Sequence, residues 1–191
     1  MLELFQYLNS VYPLAPDVQT HLIQVLKRRE LRPNTYWLRE GEVCNKIAFI
    51  EKGLVKIFYD LDDKEIITWF NKERDIMISV KSFFRQMPSR LSIKTVEPVT
   101  VNYIYFEELQ NIYKKFTDFN INARKITEDY YCISEDHLML MHLPPKQRYY
   151  TLIKNYSWMN ERIKDKYLAN YLGITNVALS KFKKQLGNEF D

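Results

Sequence analysis

The last quarter of the chain contains the stretch IKDKYLANYLGITNVALSKFKK, residues 163–184, which predicts two short helices joined by a tight turn. Gly173 stands where a helix commonly ends in a left-handed conformation that glycine adopts without strain. Thr175 is a good N-cap for the helix that follows. The first helix carries an apolar stripe at i, i+3 and i+4, formed by Leu168, Tyr171 and Leu172. This spacing is typical of a helix-turn-helix, whose second helix enters the major groove of DNA.

An ordinary helical hairpin in a core has the same spacing, so charge has to separate the two interpretations. Residues 141–191 hold nine Lys and Arg and four Asp and Glu, a net of +5, whereas the whole chain holds 28 and 24, a net of +4. The excess positive charge therefore lies entirely in the last quarter, as phosphate binding requires. Helix phase predicts the DNA-facing residues, which are Thr175, Asn176, Ser180, Lys181 and Lys184.

The composition of the 191-residue chain limits the class of protein it can be. A hydrophobic content of 46% supports real cores, and four Gly and seven Pro argue against disorder. No run approaches the roughly 18 apolar residues of a membrane span, so no membrane partner is expected. The N-terminus shows no signal peptide, and the two cysteines, Cys44 and Cys132, form no disulfide framework. These features predict a cytoplasmic location.

Two sequence patterns, one typical of helices and one typical of strands, precede the positively charged last quarter of the chain. Residues 2–30 have helix-like apolar spacing, interrupted by Pro13 and Pro16. From Leu31 onward, short alternating segments separated by turns predict an antiparallel barrel or roll. The predicted strands are 36–42, 46–53, 54–60, 65–70, 91–96 and 99–105, with a turn at 62–64 and a short helix within 75–87. The fold class is therefore α+β.

A long helix is predicted from about Phe119 to His142, followed by a break at Pro144–Pro145. Its apolar positions alternate spacings of four and three, which is the pattern of a helix that pairs with another helix. The seam consists of Ile126, Tyr130, Ile133, His137 and Leu140. Packing against the chain's own roll is the alternative for part of it. The predicted domains are 1–118, a sensor roll; 119–143, a dimerisation and linker helix; and 144–191, with a possible strand at Ile163 before its helix-turn-helix.

These pieces, in this order, resemble the Crp/Fnr family of bacterial transcription regulators, in particular the short, Lys-rich members found in Bacteroidetes. The resemblance is densest in residues 38–44 (LREGEVC), 49–55 (FIEKGLV), 148–149 and 167–175. It implies a β-roll of the cyclic-nucleotide-binding type, a dimerisation helix and a C-terminal winged helix. It also implies a homodimer that binds double-stranded DNA, with RNA polymerase as a further partner and a small-molecule effector that the sequence does not identify.

The chain departs from the family pattern at the effector site. Cyclic-nucleotide binders have a Gly-Glu pair whose Glu holds the ribose hydroxyl, and an Arg that holds the phosphate. Here the pair reads Ser79-Val80, while Arg90 falls on the Arg position. The ribose therefore loses its charge-assisted partner. We expect Arg90 to be a surface or salt-bridging residue, and cyclic AMP not to be the effector.

The reading helix also departs from the family, which often has Arg and Glu near its start. Here these positions are Asn176 and Val177. Asn can contact adenine through two hydrogen bonds, whereas Val can only touch a thymine methyl. The chain ends at Asp191, which leaves little room for a wing. A competing hypothesis is therefore a sensor module that binds a small ligand in the roll and signals through protein contacts without DNA.

No catalytic site, metal site or cofactor is predicted. Two distant cysteines cannot supply the roughly four thiolates of an iron–sulfur cluster, and the three histidines lack zinc spacing. Haem ligation by His137 is the alternative that the sequence leaves open. The chain has neither a Gly-rich phosphate loop nor a Gly-x-Ser-x-Gly turn, so enzyme activity is not expected.

Overall fold

A computed structural model describes residues 1–187 and divides the chain into two compact units. The first runs from Met1 to Glu128, and the second begins at Asp129. The boundary falls inside the long helix that was predicted as a separate linker. Within the described residues, no helix has the length and apolar character needed to cross a membrane.

The first unit is built on two four-stranded antiparallel sheets. Its strands are β1 (Lys27–Leu31), β2 (Tyr36–Leu38), β3 (Lys46–Lys52), β4 (Val55–Leu61), β5 (Lys64–Asn71), β6 (Ile76–Met77), β7 (Ser92–Thr95) and β8 (Val99–Tyr105). The first sheet has the order β1-β8-β3-β6 and the second β2-β7-β4-β5. This arrangement is the predicted antiparallel roll.

Apolar side chains between the sheets hold the roll together. Trp37 of the second sheet meets Tyr103 of the first edge to face, with 5.5 Å between ring centroids. Ile50, Val55 and Ile93 are fully buried, and all belong to one core cluster. The interior of the roll is therefore packed with side chains. The predicted effector residues belong to residues 79–90, called the effector segment, which follow β6 and precede β7.

The hairpin between β4 and β5 turns where the sequence predicted. Asp62 and Asp63 both have positive φ, 49° and 60°. This is the conformation of a two-residue type I′ turn, whose twist matches that of the flanking strands. Aspartate tolerates the left-handed region better than most residues, which explains the choice of side chain.

Four helices complete the first unit: α1 (Leu2–Val11), α2 (Pro16–Val25), α3 (Val80–Arg85) and α4 (Phe106–Lys115). The short helix predicted within 75–87 is α3. Glu108 accepts a hydrogen bond from the Tyr105 backbone N–H at 3.1 Å and so caps the start of α4. The apolar side of α1 packs on β3, where the rings of Tyr7 and Phe49 are 5.5 Å apart.

The prediction of helix to residue 30 was wrong at its end. Helix α2 stops at Val25, and residues 27–31 form strand β1, which pairs with β8 along its full length. Four of the five side chains of β1 are exposed and charged, so its local pattern carries no strand signal. Backbone pairing with a segment about seventy residues away decides its conformation.

Helix α5 (Phe119–Met141) begins in the first unit and ends in the second. Asn122 fastens its start, donating to the backbone carbonyls of Leu8 and Tyr12 at 2.8 and 2.9 Å. After Pro144, the second unit has α6 (Pro145–Asn155), α7 (Ser157–Arg162), α8 (Asp165–Tyr171) and α9 (Asn176–Gly187). The predicted strand at Ile163 is absent. This residue is a buried link between α7 and α8, and from 129 to 187 every regular element is a helix.

Candidate nucleic-acid interface and effector segment

The turn between α8 and α9 has the geometry that its sequence predicted. Gly173 has a φ of 63°, and its N–H donates to the Asn170 carbonyl at 3.0 Å. The next N–H, of Ile174, reaches back to the Ala169 carbonyl at 3.0 Å. These bonds satisfy carbonyls at the end of α8 that would otherwise lack donors. Ala169, a small residue near the end of α8, is buried.

Helix α9 is fixed at its start and along its inner face. Thr175 Oγ1 accepts the Ala178 N–H at 3.1 Å, which is the predicted cap. Leu179 is fully buried, and the ring of Phe182 stacks against Tyr149 at 6.3 Å. The helix is therefore held rigidly by one side, and its other side is free to meet a partner.

Sequence reasoning missed the clamp that Arg148 forms on this hairpin. Its guanidinium donates to the Leu172 carbonyl at 2.6 Å and to the Leu143 carbonyl at 3.0 and 3.3 Å. One cation thus closes the C-terminal ends of α5 and α8 together. The family resemblance singled out residues 148–149 but gave them no role, because bonds to backbone carbonyls leave no pattern of side-chain types that could reveal them.

The five predicted DNA-facing residues share one property, which is exposure. They lie at the start and along one side of α9: Thr175, Asn176, Ser180, Lys181 and Lys184. Val177 lies beside them and is 81% exposed. Lys183 differs, because its ammonium pairs with the Asp165 carboxylate of α8 at 2.6 Å. Its charge joins two helices, whereas Lys181 and Lys184 project into solvent.

The effector segment satisfies its own polar groups. Ser79 is buried, and its hydroxyl lies 2.9 Å from that of Ser89. The Ser82 hydroxyl donates to the Met87 carbonyl at 2.6 Å and accepts the Cys44 N–H at 2.9 Å. Burial raises the pKa of the Cys44 thiol beside it. The hydroxyls that could bind a phosphate are thus already engaged within the segment.

The other two predicted effector residues point outward. Val80 is 55% exposed at the start of α3, and Arg90 is also exposed. No hydrogen bond or ion pair of Arg90 is formed with any residue from 1 to 187. Ser79 meets Ser89, the residue before Arg90, so the three residues are neighbours, but only Ser79 is buried. Their role in effector binding stays a prediction. Within the same range, no group of three or more His, Cys, Asp or Glu could hold a metal ion.

The predicted seam of α5 is largely occupied inside the chain. Ile126 packs against the roll core, and Leu140 is buried. The Tyr171 hydroxyl lies 3.0 Å from His137 Nδ1, and the two rings stack. Burial lowers the pKa of His137 and raises that of Tyr171, which favours the neutral form of both groups. Tyr130 is half-buried, and Ile133 alone of the five is exposed.

A different face of α5 carries exposed apolar side chains. Tyr131 is 76% exposed and Leu138 60% exposed, and a spacing of seven residues places them on the same side of the helix. The predicted seam lies on another side of the helix. Ile126, His137 and Leu140 of the seam pack within their own units, and the dimerisation role of the seam stays a prediction.

Comparison with known proteins gives a family match and structural neighbours. Residues 28–116 match the cyclic nucleotide-binding domain. The chain is similar in structure to FixK2 from Bradyrhizobium japonicum, with a TM-score of 0.73 and 18% identity over 86% of each chain. It is also similar to the c-di-GMP responsive global regulator CLP from Xanthomonas campestris, with a TM-score of 0.65, 16% identity, and coverage of 92% of this chain and 93% of that one. A third neighbour is a cyclic nucleotide-binding domain containing protein from Listeria monocytogenes EGD-e, with a TM-score of 0.71, 20% identity, and 98% and 90% coverage. No curated protein matches by sequence.

Proposed function

We propose that this chain, which has the fold of the Crp/Fnr-type transcription regulators and a cyclic nucleotide-binding domain over residues 28–116, is a sequence-specific DNA-binding regulator that acts as a homodimer. The observation that carries the proposal is the outer side of α9. It presents two exposed lysines and three short polar side chains on a helix whose other side is buried. Such a helix can enter a major groove without rearrangement.

The exposed residues of α9 have distinct roles in this proposal. Lys181 and Lys184 bind phosphates, which supplies affinity without sequence preference. Asn176 reads a base edge, and Asn suits adenine because its amide both donates and accepts. The exposed Val177 contacts a thymine methyl. Positions 176 and 177 can therefore form fewer hydrogen bonds to base edges than the Arg and Glu that family members often have there.

The test compares three lysine variants of the same helix. Lys181→Ala and Lys184→Ala should each weaken binding to all DNA sequences and make the log–log salt slope shallower by roughly one unit. Lys183→Ala is the matched control, because it removes the same charge from the same helix but from a lysine paired with Asp165. Its slope should stay close to that of the unmodified chain.

Fluorescence anisotropy with a promoter-region duplex, measured from low to moderate salt, gives these slopes. Equal slopes for all three variants would mean that only net charge matters and that the outer side of α9 is not the interface. No binding by the unmodified chain would favour the alternative of a sensor module that signals through protein contacts. Val177 favours this alternative, because its exposed side chain has no group that could form a hydrogen bond to a base edge.

A further inference from the structure

A cavity of about 120 Å³ lies in the first unit, on the outer face of the first sheet beneath α1, α2, α4 and α5. Its wall is mostly apolar and includes Leu4, Leu22, Phe49, Phe83, Tyr113 and Ile126. The half-exposed ring of Phe84 and the exposed Thr127 belong to the same wall, so the cavity is reached from solvent. Ser79, Val80 and Arg90 do not line it. It is thus separate from the predicted cyclic-nucleotide site.

One wall residue has no structural explanation. Asn102 is 1% exposed, and neither its amide nitrogen nor its amide oxygen has a hydrogen-bond partner within the part of the chain that the structure describes. It stands on β8 directly opposite Phe49 of β3, so both side chains extend from the same face of the sheet. Buried polar groups are nearly always paired, and an unpaired amide destabilises the fold. An apolar residue would suit a purely structural wall better.

The shape and chemistry of the cavity define a ligand. An apolar cavity of about 150 Å³ lined by Leu, Ile and Phe binds benzene, so a single ring matches this size. Aromatic wall residues favour an aromatic ring. The wall has no Lys, Arg, Asp or Glu, which favours a neutral molecule. To satisfy both atoms of Asn102, the ligand needs a donor and an acceptor side by side, as a primary amide has.

We propose that this cavity is a binding site for a small neutral aromatic carboxamide, whose ring lies among the apolar side chains and whose amide pairs with Asn102. The site is formed entirely within residues 1–128. It depends on neither DNA binding nor cyclic-nucleotide binding.

The test uses two probes of the same shape, 4-fluorobenzamide and 4-fluoroacetophenone, titrated into the full chain and followed by fluorine NMR. They differ only in an NH₂ group against a CH₃ group. The amide should bind about tenfold more tightly, because only it can donate to Asn102 Oδ1. In Asn102→Leu this preference should disappear while the ketone still binds. An equal affinity for both probes, or an amide preference that survives Asn102→Leu, would overturn the proposal.

Two further variants locate the bound probe. Ala123→Phe adds a ring at the cavity wall and should abolish binding of both probes. Ala15→Phe adds the same ring to an exposed position of the same unit that does not line the cavity, and binding should be retained. Methyl NMR of the unmodified chain gives an answer that needs no variant to fold. The signals of Leu4 and Leu22 should shift on adding the amide, and unshifted signals at millimolar probe would contradict the site.

Discussion

The family resemblance predicts that Val80 stands at the position where cyclic-nucleotide binders carry the glutamate that holds the ribose hydroxyl. Val80 is exposed and has no hydrogen-bonding group, while the neighbouring Ser79 hydroxyl is already paired with Ser89. A ribose hydroxyl left unpaired costs about 1–3 kcal/mol, which corresponds to a roughly ten- to hundredfold loss of affinity. Arg90 can offset little of this, because an exposed ion pair is worth at most about 1 kcal/mol.

We therefore predict that neither cyclic AMP nor cyclic GMP binds in the micromolar range. Titration calorimetry on the full chain measures this directly. The double variant Val80→Glu with Leu91→Ser restores the carboxylate and the small residue beside the phosphate, and it should recover part of the affinity. A low-micromolar dissociation constant for the unmodified chain would contradict the prediction.

Arg148 carries the second prediction at this scale. Its three part-buried hydrogen bonds close the ends of α5 and α8, and hydrogen bonds that involve a charged group are worth about 1.5–3 kcal/mol. Arg148→Met should lower the free energy of unfolding of the second unit by about this amount. Lys154→Met, at an exposed position of the same helix, should change it by less than about 0.5 kcal/mol. Urea denaturation followed by circular dichroism gives both values, and equal effects would show that Arg148 contributes no specific bonds.

Single residues differ in how far the sequence could predict them. Thr175 and Asp62 act through their own backbone or through a segment three residues away, so their local context was sufficient. Arg148 acts on carbonyls 5 and 24 residues distant. Nothing in the residue types at those positions signals a bond to the main chain. The unpaired amide of Asn102 was equally invisible, because it depends on what the fold leaves around it.

Among the elements, β1 and α5 show where periodicity fails. Strand β1 is charged and exposed, and its pairing with β8 decides its conformation. In α5 the apolar period was correct, but a helix can use such a stripe within its own chain or against another one. Periodicity cannot distinguish these uses. Local pattern was decisive for β4, β5, α8 and α9, whose turns are short and have their own sequence signals.

This distinction yields a prediction about the dimer. Since Ile126, His137 and Leu140 of the seam pack internally, we expect α5 to pair through the side on which Tyr131 and Leu138 are exposed. Leu138→Glu would place two charges beside each other at the symmetry axis and should give a monomer. Ile133→Glu, on the seam side, is the matched control and should remain a dimer. Analytical ultracentrifugation decides between the sides, and the reverse result would restore the seam as the interface.

At the scale of the whole molecule, the positive charge and the matched domain lie in different parts of the chain. The net positive charge of the chain comes from the quarter that contains α8 and α9, while residues 28–116 match the cyclic nucleotide-binding domain. The order of a roll, a long helix and a C-terminal pair of helices joined by a tight turn could be predicted from the sequence, because each part has its own period. The identity of the effector could not be predicted from the sequence, because its binding site depends on which polar groups the folded roll leaves unpaired.

Selection of bound fragments from a promoter-region DNA library at moderate salt tests the central claim most directly. A homodimer with one reading helix per subunit should enrich two-fold symmetric sites, whose half-sites are separated by about one helical turn, roughly 10 base pairs, or a multiple of it. The enrichment should be lost when Lys181 and Lys184 are both changed to Ala. A pool that shows no sequence enrichment over its starting composition would contradict the account of this chain as a sequence-specific regulator.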